Sequence, residues 1–125
     1  VTFTGWVEDI REAYGAGDIY LFPTKTENQG IAVLEAMAAE KAVVIRDIPV
    51  FDEFFTHDED CLKATTEAEF REAVERLAED PDLRERLGAN ARETAESHSL
   101  DRVGEELVGV YEELLDGTDP TAERK

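Results

Sequence analysis

This sequence predicts an α/β fold, an open parallel sheet with flanking helices and a helical carboxyl-terminal segment, on three observations. Two short runs, Ile19-Tyr-Leu-Phe22 and Ala42-Val-Val-Ile45, are apolar at every position. Strands of that kind belong in a parallel sheet covered on both faces. Helix-like segments alternate with these runs, and from Glu67 onward the periodicity is helical alone. Strands alternating with helices, followed by helices, fit one layered α/β domain.

Each element has its own signal. Residues 1–4 read as a short strand closed by Gly5, and residues 7–14 as a helix with Ile10, Ala13 and Tyr14 on one side, ended by Gly15 and Gly17. The strand at 19–22 leads through a polar loop into an Ala-rich helix over 30–40, and the next buried strand is 42–45. Pro49 marks a helical turn within 48–55, and 61–64 is a short edge strand. Phe70, Val74 and Leu77 give residues 67–79 helical spacing. Asp80-Pro81 supplies an N-cap and a first-turn proline for a helix to about Ser97. Ser99 caps a last helix with the stripe Val103, Leu107, Tyr111 and Leu114, expected to pack, partly on the other domain of a longer parent, and to be exposed and available for dimerisation in an isolated fragment. The arrangement is Rossmann-like, with a domain over 1–115 and a disordered tail over 116–125. The start at Val1, already strand-like, leads us to expect a fragment truncated on its N-terminal side.

Charge restricts the partners. The chain holds 31 Asp and Glu against 13 Lys and Arg, a net charge of -18 in 125 residues. Such a surface repels itself at low salt and suits a salt-rich, halophilic cytoplasm. No basic stripe exists to neutralise phosphates, so nucleic acid is excluded as a partner. Cys61 is the only cysteine, which rules out an internal disulfide. The two histidines, His57 and His98, lie at no metal-ligand spacing, and no metal site is expected.

Within this acidic background one pair of carboxylates stands out by position. Glu27 and Glu35 have seven residues between them; the first lies in the loop after Phe22, the second in the Ala-rich helix. In open α/β sheets ligands bind beyond the carboxyl ends of the strands, where this loop falls. The helix beginning near Gly30 aims free N–H groups into that crevice and favours a phosphate. Gly30 would let the backbone approach a ligand closely. A carboxylate two turns along suits ribose hydroxyls, and one in the loop suits sugar hydroxyls, because each offers two acceptor oxygens. Lys25 and Arg46 are candidate phosphate contacts, with a mobile lysine and an Arg46 salt bridge to Asp47 or Asp52 as the plainer readings.

The stretch Phe22-Pro-Thr-Lys-Thr-Glu27 through Glu35-Ala-Met-Ala-Ala39 resembles the Glu-x7-Glu signature of retaining GT-B glycosyltransferases. Gly5-Trp-Val, Tyr14-Gly-Ala-Gly-Asp-Ile-Tyr-Leu and Ala42-Val-Val-Ile45 resemble the flanking segments of that family, over roughly residues 1–97. The resemblance implies half of a GT-B fold, the C-terminal domain that binds a nucleotide-sugar donor, a uridine diphosphate sugar being the common one. It implies that Glu27 acts at the donor sugar as the catalytic carboxylate, orienting it rather than attacking it. It implies further that the backbone of Asn28, Gln29, Gly30 and Ile31 lines sugar and diphosphate, and that Glu35 holds the ribose. No cofactor or metal is implied. The diphosphate-binding Arg and Lys, the first glycine loop and the acceptor domain would precede Val1, so this piece alone would be inactive. Glu40-Lys41-Ala42 departs from the glycine and proline common there.

Thr26-Glu-Asn-Gln-Gly-Ile31 and Val44-Ile-Arg-Asp-Ile-Pro-Val-Phe51 resemble the versions in diacylglycerol glucosyltransferases. That likeness implies a membrane-lipid acceptor and a cytoplasmic parent peripheral to the inner membrane face. Two other readings stay open: a non-catalytic interaction or regulatory module with a halophilic acidic surface, and a same-fold enzyme such as a sugar-nucleotide epimerase or a phosphorylase.

Overall fold

Three parallel strands, β1 (Ile19–Phe22), β2 (Ala42–Arg46) and β3 (Leu62–Ala64), form a sheet in the order β1-β2-β3. Ile19 lies opposite Ala42 and Phe22 opposite Ile45, while Val44 faces Leu62 and Arg46 faces Ala64. The computed structural model describes residues 1–117. They divide into two units, Val1–Ala95 and the part that begins at Glu96.

The central strand explains its own sequence. Val43 and Ile45 enter one apolar cluster with Val33, Met37, Phe51 and Phe55, while Ala42 and Val44 enter another with Leu62, Phe70, Leu77 and Leu87. Both faces of β2 are covered, which is why no polar residue interrupts it before Arg46. Each large side chain fully buried in these clusters contributes roughly 1.5–3 kcal/mol.

Helices α1 (Ile10–Ala16), α2 (Ile31–Ala38), α3 (Glu67–Glu79) and α4 (Pro81–Ser97) complete the alternation. Asp9 caps α1 by accepting the Arg11 N–H. The two Arg11 side-chain hydrogen bonds to Asp9 hold that carboxyl below its ordinary range. Thr66 and Glu69 form a reciprocal capping box at α3, and Asp80 accepts the Leu83 N–H at the start of α4. Cys61 is buried, and burial pushes its thiol well above the ordinary value. In the second unit Ser99 caps α5 (Leu100–Leu115), which closes at Asp116 and at Gly117 in the left-handed region.

Some expectations need correction. Residues 1–4 form no strand; they pair with no strand among the described residues, and Val1 and Phe3 are exposed. Strand conformation depends on ladder partners, and β1 is itself the edge nearest in sequence. The first helix starts at Ile10 and carries Gly15 inside it, with Gly17 as its cap. The helical turn expected within 48–55 is present as a 3-10 turn, Pro49–Phe51. On α5 no residue is buried, and Val103, Leu107, Tyr111 and Leu114 are all about half exposed. Of the tail expected over 116–125, residues 118–125 lie outside the described residues.

The turn between α2 and β2 holds Glu40 in the left-handed region, at φ 59°. Its N–H donates to the Met37 carbonyl, and the next N–H to that of Ala36. A non-glycine residue in that region carries about 1–2 kcal/mol of strain. Glycine relieves it but adds freedom to the unfolded chain. Glu40→Gly is therefore expected to stabilise the domain by about 0.5–1 kcal/mol, raising Tm by a few degrees in a thermal melt. An unchanged or lower Tm would mean that the Glu40 carboxylate, 3.9 Å from Arg92, outweighs the strain.

Candidate functional site

The carboxyl ends of β1, β2 and β3 come together at Phe22, Arg46 and Ala64, and one side chain ties them. Arg46 donates from Nε and Nη2 to the Pro23 carbonyl, at 3.3 and 3.2 Å, and from Nη1 to the Thr65 carbonyl at 2.6 Å. Its guanidinium lies 5.1 Å from the centre of the Phe70 ring. The salt bridge expected to Asp47 or Asp52 is not formed among the described residues, because two backbone carbonyls take the guanidinium and Asp52 pairs with Lys63. Arg46 thus anchors the start of the loop that carries Glu27.

That loop runs from Pro23 to Gly30. The Thr24 hydroxyl donates to the Thr26 carbonyl at 2.9 Å. Glu27 is half-buried, and its Oε1 accepts the Asn28 N–H at 2.9 Å. Lys25, Asn28, Gln29 and Ile31 are exposed around it. Lys25 makes no ion pair with the described residues.

Gly30 is the N-cap of α2, with φ 83°. A Cβ there would also stand 2.7 Å from Cε1 of Phe51. The fold itself therefore requires glycine at this position, whether or not a ligand approaches. The Gly30 carbonyl accepts the Val33 and Leu34 N–H groups. No side chain caps the helix start, and the N–H groups of Ile31 and Ala32 find no acceptor among the described residues.

Glu35 lies in the second turn of α2 and is exposed. Its Oε2 accepts the Tyr14 hydroxyl of α1 at 2.9 Å; the same hydroxyl lies 3.3 Å from the Ala32 carbonyl. Glu35 and Tyr14 line a cleft of about 510 Å³ with Ile10, Arg11, Ala38 and Ala39. Burial, then the hydrogen bond to Glu35, raises the Tyr14 phenol well above its ordinary value, so it remains a donor at all physiological pH. Glu27 thus precedes and Glu35 follows an uncapped helix start at the carboxyl end of a parallel sheet, and the cleft beside Glu35 is not lined by Glu27 or by residues 28–31. The structure adds Tyr14, whose part no spacing in the sequence announces. Among the described residues no three His, Cys, Asp or Glu side chains converge as metal ligands, and no helix is long and apolar enough to cross a membrane.

Comparison with known proteins gives the family and the fold. Residues 1–94 match the family described as glycosyl transferases group 1. The processive diacylglycerol alpha-glucosyltransferase of Acholeplasma laidlawii is 33% identical over 106 residues, 85% of this chain and 31% of that protein. The alpha-D-kanosaminyltransferase of Streptomyces kanamyceticus is 34% identical over 122 residues, 91% of this chain and 31% of its own length. The chain thus spans about a third of the relatives it matches. Among solved structures, sucrose-phosphate synthase from Thermosynechococcus elongatus superposes with TM-score 0.74 at 21% identity, over 85% of this chain and 27% of that one. The C-terminal domain of a group 1 glycosyl transferase from Francisella tularensis gives 0.64 at 24% identity, over 78% of this chain and 51% of that one. The expected fold holds: a Rossmann-like parallel α/β sheet with flanking helices, corresponding to one half of a GT-B fold.

Proposed function

The chain belongs to the glycosyl transferases group 1 family, and we propose that it is the donor-binding part of an enzyme that moves a hexose from a nucleotide-sugar with retention. The observation that carries this reading is the pair Glu27 and Glu35 flanking the uncapped start of α2. Open N–H groups at a helix start attract a diphosphate, because the helix dipole adds to their hydrogen bonding. From there Glu35 reaches the ribose and Glu27 the transferred sugar. The backbone of Asn28, Gln29, Gly30 and Ile31 lines the space between. Lys25 is exposed on the same loop and able to reach a phosphate, whereas Arg46 serves the site through the loop it anchors.

The whole reaction needs an acceptor domain outside this chain, and Glu27 acts there by orienting the sugar and stabilising charge at the anomeric carbon. No metal or cofactor enters this reading. A uridine diphosphate sugar is the donor we favour. The acceptor is not chosen by this half of the enzyme. A diacylglycerol glucosyltransferase and a kanosaminyltransferase are matched at 33% and 34% identity. A membrane-lipid acceptor, with the enzyme peripheral on the cytoplasmic face, is the form suggested by the segments 26–31 and 44–51.

Titration calorimetry of uridine and guanosine diphosphate sugars into the enzyme that carries this domain, in molar potassium chloride, tests the reading. Saturable binding is expected, weakened about 10–100-fold by Glu35→Ala, since hydrogen bonds to a charged group contribute about 1.5–3 kcal/mol. A folded protein that binds neither donor up to millimolar concentration would leave the pair as surface acids and favour an interaction module.

A further inference from the structure

We infer that Tyr14 is a positioning residue for the nucleotide's ribose, fixing one carboxylate oxygen of Glu35 so that the other meets the sugar hydroxyls. The inference rests on the donor-site reading above.

Glu35 is exposed, and a free glutamate on a helix surface samples several rotamers. Here Oε2 is held by the Tyr14 hydroxyl at 2.9 Å, while Oε1 takes no hydrogen bond from the described residues. One oxygen is fixed and the other is open, on the wall of a cleft of about 510 Å³. The donor itself is well seated. Tyr14 packs edge-on against Tyr20 of β1, with ring centres 5.7 Å apart at 63°. Tyr20 stacks on Phe22, centres 5.9 Å apart at 15°. Phe22 is the last residue of β1, immediately before the loop bearing Glu27. An aromatic row therefore joins the seat of Glu35 to the base of the other carboxylate's loop.

A carboxylate already held costs less to order when the ligand arrives, so its hydrogen bonds count more fully toward affinity. The gain is confined to ligands that carry ribose hydroxyls. Tyr14 would thereby set discrimination between a ribonucleotide and its deoxy analogue without touching either.

The test uses the enzyme that carries this domain, in molar potassium chloride. The probes are adenosine, guanosine and uridine diphosphates and the 2′,3′-dideoxy analogue of whichever binds most tightly. Tyr14→Phe keeps the ring contact with Tyr20 and removes only the hydroxyl. It is expected to weaken the ribonucleotide about 5–10-fold, the worth of one ordering hydrogen bond, and to leave the dideoxy analogue within about twofold. Added to Glu35→Ala, it should cost the ribonucleotide nothing further. Equal weakening of both nucleotides, no weakening of either, or full additivity with Glu35→Ala would overturn the role given to Tyr14 while leaving the donor site standing. If no ribonucleotide binds, or if Glu35→Ala leaves the ribo-to-dideoxy ratio unchanged, the donor-site reading falls and the inference with it.

Discussion

Gly88→Ala is expected to destabilise the domain by about 3 kcal/mol or more, the upper end of what overpacking a core costs. Gly88 is buried in α4, and a Cβ on it would stand 2.4 Å from the Glu40 carbonyl oxygen and 3.2 Å from its carbon. Both obstructing atoms are backbone, so no side-chain rotation relieves the contact. The turn is pinned as well: Arg92 Nη1 donates to the Ala38 carbonyl at 3.2 Å, and the Lys41 N–H to that of Ala36. Retreat of α4 would instead pull Leu83, Leu87 and Ala91 from their clusters. Helix propensity alone predicts the opposite sign, a gain of about 1 kcal/mol for alanine over glycine. Gly104 provides the contrast, since nothing lies within 4 Å of a Cβ there. Thermal unfolding followed by circular dichroism should show Tm falling by more than 10 °C for Gly88→Ala and rising slightly for Gly104→Ala. A Gly88→Ala protein as stable as the original would show that the α2–β2 turn yields.

What the sequence discloses about the fold is whatever depends on neighbours along the chain. Ala42-Val-Val-Ile45 became β2 because burial on both faces leaves a mark on every residue of a strand, whereas β1, equally apolar, is an edge strand with no buried residue and an exposed Leu21. The caps Asp80 and Ser99 were legible because capping is settled within three residues. Residues 1–4 misled because β-propensity describes a side chain that fits a sheet, whereas a strand requires a partner to supply its hydrogen bonds. The stripe on α5 marks a related limit: helical periodicity identifies an apolar face but not what covers it.

The site divides along the same line. Glu27, Gly30 and Glu35 lie within nine consecutive positions, and the strand-loop-helix order sufficed to set them around one helix start. The residues that hold them come from farther away. Tyr14 precedes Glu35 by 21 positions, Arg46 follows Pro23 by 23, and Phe51 closes on Gly30 from beyond β2. Type alone suggested a phosphate for Arg46, because a guanidinium suits one. In the structure its guanidinium hydrogen-bonds to two backbone carbonyls, those of Pro23 and Thr65.

That anchoring bears on the expected behaviour of Glu27→Gln in the enzyme that carries this domain. In the proposed reaction positive charge grows at the anomeric carbon, and a fixed carboxylate nearby stabilises the transition state more than the ground state. Glu27 fits the requirement because its loop is tied at Pro23 by Arg46 and its own Oε1 is held by the Asn28 N–H. Glutamine keeps the size and an acceptor oxygen for that N–H, so the change isolates the charge. We expect kcat to fall about 10²–10³-fold, equivalent to about 2.7–4 kcal/mol of transition-state stabilisation. Affinity for the nucleoside diphosphate should stay within about twofold, because that product lacks the transferred sugar. Steady-state kinetics and calorimetry on the same preparation separate the two quantities. A kcat within threefold of the original would remove Glu27 from the chemistry. Loss of diphosphate affinity in step with kcat would instead make it a binding group for the part of the donor shared by substrate and product. The split expected here, rate without affinity, is what a carboxylate placed for the reacting carbon produces.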